Sequence, residues 1–330
     1  MRRNMRYGNV SLIGRTNVGK STFLNRALGQ ALAITSPLPQ TTRDTLLGVA
    51  QHADAQMAFL DTPGLHRPRT ELGKRMNFAA MDGLRSADVI VLFTDVWLKP
   101  PAALGKGQWS GPAEPLHSPW IRPGDKDVIA ALDGMNAPVI LAINKVDLAR
   151  DKGQLLPMLE AYSKAHDFAT IVPTSLRKDV GVETLLDEIA KRLPEGPPGY
   201  ESDTLTNRPV LFFVREYVRE AVMNQLHREV PHAVAVTIEQ ADETATLLRL
   251  SATIHVEKVG QRKIVVGKGG AQIKAIGIAA RTRIEALVEK QVHLELFVRI
   301  TDEWKNMPRM LAELGHDESQ SNNKVDGDDE

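Results

Sequence analysis

Residues 14–21 read GRTNVGKS and match the pattern GxxxxGK[ST], whose residue types suit phosphate binding. Gly14 and Gly19 would let successive backbone N–H groups curl around a β-phosphate, and the start of the following helix adds a favourable dipole. The ammonium of Lys20 would neutralise β and γ oxygens, and the Ser21 hydroxyl would ligate Mg2+. Arg15, Thr16, Asn17, Val18 and Thr22 complete the cradle. The arrangement needs a strand before it and a helix after it, and VSLIG and STFLNRAL supply both. By itself the motif does not separate ATP from GTP.

NKVD, residues 144–147, follows the apolar run PVILAI and resembles the base-recognition motif of GTPases. In that resemblance Asp147 accepts hydrogen bonds from guanine N1–H and the 2-amino group. Adenine offers no such pair, and a site built for those bonds leaves a charge unpaired when adenine enters. Asn144 would contact the base and Lys145 would pack along its face. DTPG, residues 61–64, ends the strand-like run MAFLD: Asp61 can hold Mg2+ through water, Gly64 can offer its N–H to the γ-phosphate, and Thr62 and Pro63 complete the turn. In QTTRD, residues 40–44, the resemblance makes Thr42 the switch threonine that ligates Mg2+ only while the γ-phosphate is present, with Thr41 the competing candidate. PTSL, residues 173–176, matches a weaker motif in which Thr174, Ser175 and Leu176 support the base, Ser175 together with the N–H that follows it. Lys20, Thr42 and Gly64 are the catalytic candidates, for in-line attack of water on the γ-phosphate.

After DTPG, Ras-like enzymes carry a glutamine that orients the attacking water. Here that position is Leu65, followed by His66. A leucine cannot polarise water, so slow intrinsic hydrolysis is expected, stimulated by a partner or a cation; His66 is a weak substitute. Asn17 resembles the asparagine with which one class of NVGKS GTPases binds K+, which makes K+ a third candidate cofactor beside GTP/GDP and Mg2+.

The elements that must position these residues alternate short apolar runs (VSLIG, MAFLD, DVIVLFTD, PVILAIN, ATIVPT) with amphipathic stretches. This rhythm predicts an α/β domain, a doubly wound P-loop fold with a mostly parallel sheet, over residues 1–193. The Pro- and Gly-rich stretch 194–209 reads as a linker. Residues 96–127, rich in Pro, Gly and Trp, read as a long surface loop. The chain of 330 residues accommodates two domains, and 42% hydrophobic with 25% charged residues is a globular composition. Zero cysteines exclude disulfide frameworks and thiol nucleophiles. No apolar run is long enough to span a membrane, and the first strand starts too early to leave room for a targeting peptide. A cytoplasmic monomer is expected.

Residues 210–315 change rhythm: helix, two strands, two helices, strand. GKGG, residues 267–270, joins the two helices and has the GxxG form that clamps a nucleic-acid backbone. A net charge of zero would argue against a nucleic-acid partner, but the charge is segregated. Lys258, Arg262, Lys263, Lys268, Lys274, Arg281 and Arg283 occur with no acid among them, whereas the tail 316–330 is acidic and by composition disordered. The element order is that of a smaller α+β type II KH domain, with Gly267, Lys268, Gly269 and Gly270 closing on the backbone. Lys263, Lys274, Arg281 and Arg283 are the further contact candidates, although helical periodicity cannot aim all of them at one groove.

A GTPase domain followed by a type II KH domain, with GRTNVGKSTFLN, QTTRD, DTPGLH, NKVD, GQRKIVVGKGGAQIKAIG and DEWKNMPRMLAELG in order, closely resembles the Era family of bacterial ribosome-assembly GTPases. The resemblance implies binding to small-subunit ribosomal RNA near its 3′ end and to the maturing small subunit, with weak peripheral association at the inner face of the membrane. Thr16 where proline is usual, the extended 96–127 loop and the acidic tail depart from the family pattern. Two alternatives stay open: an RNA-binding module whose nucleotide site does not turn over, and an ATP-dependent enzyme of the same fold.

Overall fold

The computed structural model describes residues 5–36, 38, 41–65, 68–98, 118–227 and 229–316. Gln40, His66, the centre of the long loop (99–117) and the acidic tail beyond His316 lie outside the described residues. The chain divides into two compact units. The first comprises residues 1–33, 45–66 and 77–207, and the second 34–44, 67–76 and 208–330.

The first unit is built on a six-stranded sheet. Its strands are β1 (Arg6–Gly14), β2 (Leu46–His52), β3 (Ala55–Asp61), β4 (Val89–Asp95), β5 (Val139–Asn144) and β6 (Thr170–Pro173), in the order β2-β3-β1-β4-β5-β6. Only β2, on the edge, runs antiparallel to its neighbour. β5 is buried along its whole length, as a parallel strand covered on both faces must be, so it reads as an unbroken apolar run. The helices α1 (Lys20–Leu28), α3 (Pro123–Ala130), α4 (Leu156–Ala165) and α5 (Val182–Ala190) supply that cover. On α5, Val182, Leu185, Leu186 and Ile189 form the buried stripe at helical spacing. The doubly wound architecture leaves the carboxyl ends of β1, β3, β4, β5 and β6 together. The strand order reverses between β1 and β4, where such sheets bind their ligands.

The second unit has a three-stranded sheet of β7 (Ala235–Glu243), β8 (Leu247–Val256) and β9 (Gln291–Ile300), in that order. β7 and β8 are antiparallel, and β8 and β9 are parallel. Helix α6 (Val210–Gln225) packs on α8 (Ala271–Val288), and α7 (Val259–Val266) and α9 (Pro308–Glu313) complete the unit. Ile276, Ala280 and Ile284, four apart along α8, are fully buried. Trp304 is fully buried too, its indole N–H donating to the Ala233 carbonyl at 2.9 Å. Helix α2 (Glu71–Arg85) begins in this unit and continues into the first. Among the described residues no helix is long and apolar enough to cross a membrane.

Candidate functional site

The phosphate loop leaves β1 at Gly14 and enters α1 at Lys20 through backbone that few residues adopt. Gly14 has φ 137° and Gly19 φ 117°, and a Cβ at Gly14 would stand 2.3 Å from the Phe93 carbonyl oxygen. Lys20 is buried, and its Nζ donates to the carbonyls of Gly14 (3.1 Å) and Arg15 (3.0 Å). Burial pushes this ammonium down to about 8 against the opposing pull of Asp61. An anionic phosphate is the group that would offset that penalty. Next along α1, the Ser21 hydroxyl donates to Asp61 Oδ2 at 2.6 Å. A hydroxyl and a carboxylate in contact form a hard-oxygen donor set, and Mg2+ fits it.

The rest of DTPG packs against this loop. A Cβ at Gly64 would lie 3.0 Å from the Thr16 amide nitrogen, so the closeness of the two loops requires glycine there. Thr62 is fully buried and donates to the Leu12 carbonyl at 2.9 Å, and Pro63 is buried beside it. Both hold the loop. Leu65 packs against the apolar core of the first unit. Val18 is buried, and Thr22 lies half-buried in the first turn of α1.

The residues of NKVD and PTSL sit at the ends of β5 and β6. Ser175 Oγ donates to Asp147 Oδ1 at 2.6 Å, and this bond holds the Asp147 carboxyl below its ordinary range. Asp147 is half-buried, an oriented anion that can receive two donors. Asn144 does more than the sequence suggested. It is 4% exposed, its Nδ2 donates to the Val18 carbonyl (2.8 Å) and its Oδ1 accepts from the Leu176 amide (3.1 Å). Both ends of the side chain bond to backbone, so it braces three loops, while its second Nδ2 hydrogen is left over for a base. The same bond occupies the Leu176 amide. Thr174 is fully buried with its hydroxyl 3.5 Å from the Ile143 carbonyl, inside this brace. Lys145 has φ 63°, and its Nζ reaches the Asn17 carbonyl at 3.0 Å, laying the side chain across the phosphate loop.

The Arg15 side chain leaves the phosphate site. Its Nε donates to Asp125 Oδ1 (2.7 Å) and its Nη2 to Asp95 Oδ1 (2.6 Å). Its stem crosses Gly124, where a Cβ would stand 2.6 Å from Arg15 Cδ. Asp125 is completely buried and also accepts from Thr94 (2.6 Å) and Tyr162 (2.5 Å). Sequence reading missed Asp95 and Asp125, because neither stands in a nucleotide motif.

Thr42, the expected switch residue, lies in the segment that belongs to the second unit. Around it the Thr41 carbonyl accepts from Arg219, Arg43 donates to the Val234 carbonyl (2.6 Å), and Asp44 pairs with Arg215 (3.0 Å) and His316 (3.2 Å). The paired donor set of the first unit is therefore Ser21 and Asp61.

In the second unit GKGG caps α7 and starts α8. Gly267, Gly269 and Gly270 have φ of 75°, 59° and 79°, and nothing lies within 4 Å of a Cβ at Gly269 or Gly270. Two left-handed glycines facing open space, with Lys268 exposed between them and Gly267, let another backbone approach closely. A groove of about 340 Å³ lies between α8 and β9, lined by Leu294, Leu296, Ile273, Gly277 and Ile278 together with Lys274 and Arg281. Arg281, 4.0 Å from Glu285, also borders a second hollow of about 570 Å³ lined by Glu285, Arg249 and His293. Lys263 is exposed on α7. Arg283 does not join the groove, because two residues along a helix turn the side chain to the far face. There it stacks on Tyr217 at 4.4 Å and pairs with Glu220 at 3.5 Å.

A model of the 50S ribosome-binding GTPase family matches residues 9–145, and a KH domain model matches residues 229–305. The chain is 40% identical to GTPase Era of Geotalea uraniireducens over 316 residues, covering 96% of this chain and 99% of that one. It is 41% identical to GTPase Era of Geobacter metallireducens over 313 residues, covering 94% and 98%. Among solved structures it resembles a variant of Aquifex aeolicus Era bound to GDP·AlF4−, with TM-score 0.84, 34% identity and coverage of 95% and 100%. It also resembles Era in complex with MgGDPNP and nucleotides 1506–1542 of 16S ribosomal RNA, with TM-score 0.84, 34% identity and coverage of 95% and 99%. With matches to both domain models and likeness to GTPase Era proteins over nearly the whole length of each chain, the chain belongs to the GTPase Era family.

Proposed function

We propose that this protein is a GTP-hydrolysing switch that binds small-subunit ribosomal RNA near its 3′ end and acts on the maturing small subunit. The observation that carries the nucleotide half is the convergence of Lys20, the Ser21–Asp61 pair and the Ser175–Asp147 pair at one end of one sheet. The RNA half rests on the GKGG groove, with the solved Era complex containing 16S ribosomal RNA as support.

In this reading Asp147, held by Ser175, selects guanine, and Lys20 with the phosphate-loop amides balances charge on the β- and γ-phosphates. Ser21 and Asp61 hold Mg2+, which when bound neutralises charge on the phosphate oxygens. Thr42 joins that set in the GTP state, and Gly64 offers its N–H to the γ-phosphate. Leu65 provides no group to polarise water, so intrinsic turnover is slow, and K+ near Asn17 accelerates it. The GKGG loop clamps the RNA backbone while Lys263, Lys268, Lys274 and Arg281 supply charge and the apolar floor takes unstacked bases. The protein works in the cytoplasm as a monomer, and a weak peripheral contact with the membrane rests on family resemblance alone.

Steady-state GTP turnover tests the reading, with and without an RNA fragment from the 3′ end of small-subunit ribosomal RNA, in K+ and in Na+. Slow turnover raised by the RNA and higher in K+ is expected. Zero turnover under every condition would leave an RNA-binding module with an inert nucleotide site, and identical rates in K+ and Na+ would remove K+.

A further inference from the structure

We infer that Asp95 is a positioning residue for the nucleotide: its carboxylate fastens the phosphate loop to the guanine-reading loop and so sets how long the nucleotide stays bound. This rests on the reading that Lys20 and Asp147 hold GTP or GDP.

Asp95 ends β4 in register with Asn144 of β5, which puts it between the loop after β1 and the loop after β5. One oxygen accepts from Arg15 Nη2 at 2.6 Å and the other from Lys145 Nζ at 3.0 Å, with Arg122 Nε 3.4 Å away. Its side chain is 16% exposed, so these interactions are only partly screened. Burial pushes the Asp95 carboxyl up, and the bond from Lys145 with the charges of Arg122 and Arg15 outweighs it, so the group stays ionised well below neutrality.

Each cation ties a different loop. Arg15 belongs to the phosphate loop, and its carbonyl is one of the two that hold Lys20. Lys145 belongs to NKVD, and its ammonium is shared between Asp95 and the Asn17 carbonyl. Asn17 and Lys145 both sit at φ 63°, in the left-handed region that non-glycine residues rarely occupy. Such backbone persists where the surroundings over-determine it. Without the Asp95 charge, Arg15 keeps only Asp125, Arg122 loses its nearby carboxylate, and Lys145 loses one of its two acceptors. Asp95 hydrogen-bonds to none of Lys20, Ser21, Asp61 or Asp147, so its effect passes through Arg15 and Lys145. Asp125 gives the contrast. It holds Arg15 from the buried side together with Thr94 and Tyr162, and no bond joins it to Lys145.

The test is the dissociation rate of a fluorescent GDP analogue from the full chain, with thermal melting of the same samples. Asp95→Asn should release the analogue about tenfold faster or more, and Asp95→Glu, which keeps the charge, should restore most of the residence time. Asp95→Asn combined with Lys145→Gln should be no faster than the faster single variant, because both break one link. Asp125→Asn should lower the melting temperature more than Asp95→Asn does and change the dissociation rate less. A dissociation rate for Asp95→Asn within twofold of wild type, or effects of Asp95→Asn and Lys145→Gln that multiply, overturns the inference. Should Asp95→Asn not fold, Arg15→Gln breaks the link from the other side, with the same expectation and the same overturning result. A wild-type chain that retains no analogue would sink the nucleotide reading itself, an outcome distinct from tight wild-type binding with an unchanged variant.

Discussion

Replacing Asn144 by alanine tests whether Asn144 braces the pocket on its own, apart from any contact with the base. The structure supports the brace, with two bonds to backbone groups of residues that are themselves almost fully buried: Val18 is 1% and Leu176 2% exposed. Asn144→Ala strands the Val18 carbonyl and the Leu176 amide. A buried polar group left without its partner costs about 1–3 kcal/mol. Two of them, softened by water entering the space the amide vacates, amount to roughly 2–4 kcal/mol. For a unit of this size that lowers the melting temperature by about 4–16 °C. The assay is thermal unfolding of the nucleotide-free protein followed by GDP titration. A base contact is absent in the nucleotide-free state, so it contributes nothing to that melting temperature. If Asn144→Ala melts with wild type when free of nucleotide and loses only GDP affinity, the brace is wrong and base contact alone accounts for Asn144.

Three further outcomes are expected. With Lys20 near 8 in the folded protein and 10.5 as its ordinary value, the unfolded chain binds more protons between those limits, so nucleotide-free stability rises with pH across that window. A bound phosphate favours the protonated ammonium, so GDP affinity is full below about 8 and falls as pH rises through it, by up to about tenfold per unit; an affinity flat between pH 7 and 9.5 contradicts this. Ser175→Ala removes the bond that orients Asp147 and should weaken GDP binding by about fivefold, or about 1 kcal/mol, measured by titration. Arg281→Ala should weaken binding of single-stranded RNA and flatten its salt dependence by somewhat under one phosphate contact, whereas Arg283→Ala should keep the salt slope and lower the melting temperature. Equal effects of the two on the slope would put Arg283 back in the groove.

What the sequence made legible was local. GRTNVGKS encodes a strand, a turn and a helix start within eight residues, and the glycine backbone angles it needs are those observed at Gly14 and Gly19. The β and α order of both units followed from periodicity, because parallel strands covered on both faces must be continuously apolar and α8 must bury every third or fourth residue. What stayed hidden were contacts whose partners carry no spacing rule. Asp95 reads as the polar end of the strand DVIVLFTD, and nothing in its neighbourhood says that Arg15, 80 residues away, will reach it. Arg281 and Arg283 look equivalent in a basic stretch. Only the direction of the side chain on a formed helix separates the one on the groove from the one stacked on Tyr217.

The segment 34–44 marks the same limit at the scale of domains. QTTRD names the chemistry of Thr42 by its likeness to a switch threonine, but a motif does not say which part of the fold holds its backbone. Here the flanking residues are gripped within the second unit: Thr41 by Arg219, Arg43 by the Val234 carbonyl, Asp44 by Arg215, across 178, 191 and 171 residues of sequence. Arg219 is itself fixed by Glu216 at 3.0 Å, and Arg43 lies over Trp304 at 5.6 Å. A guanidinium buried with carboxylate and carbonyl acceptors is costly to strand. The neighbours of Thr42 are thus held within the second unit by arginines from far along the chain, and contacts across such distances follow no spacing rule that a sequence motif could carry.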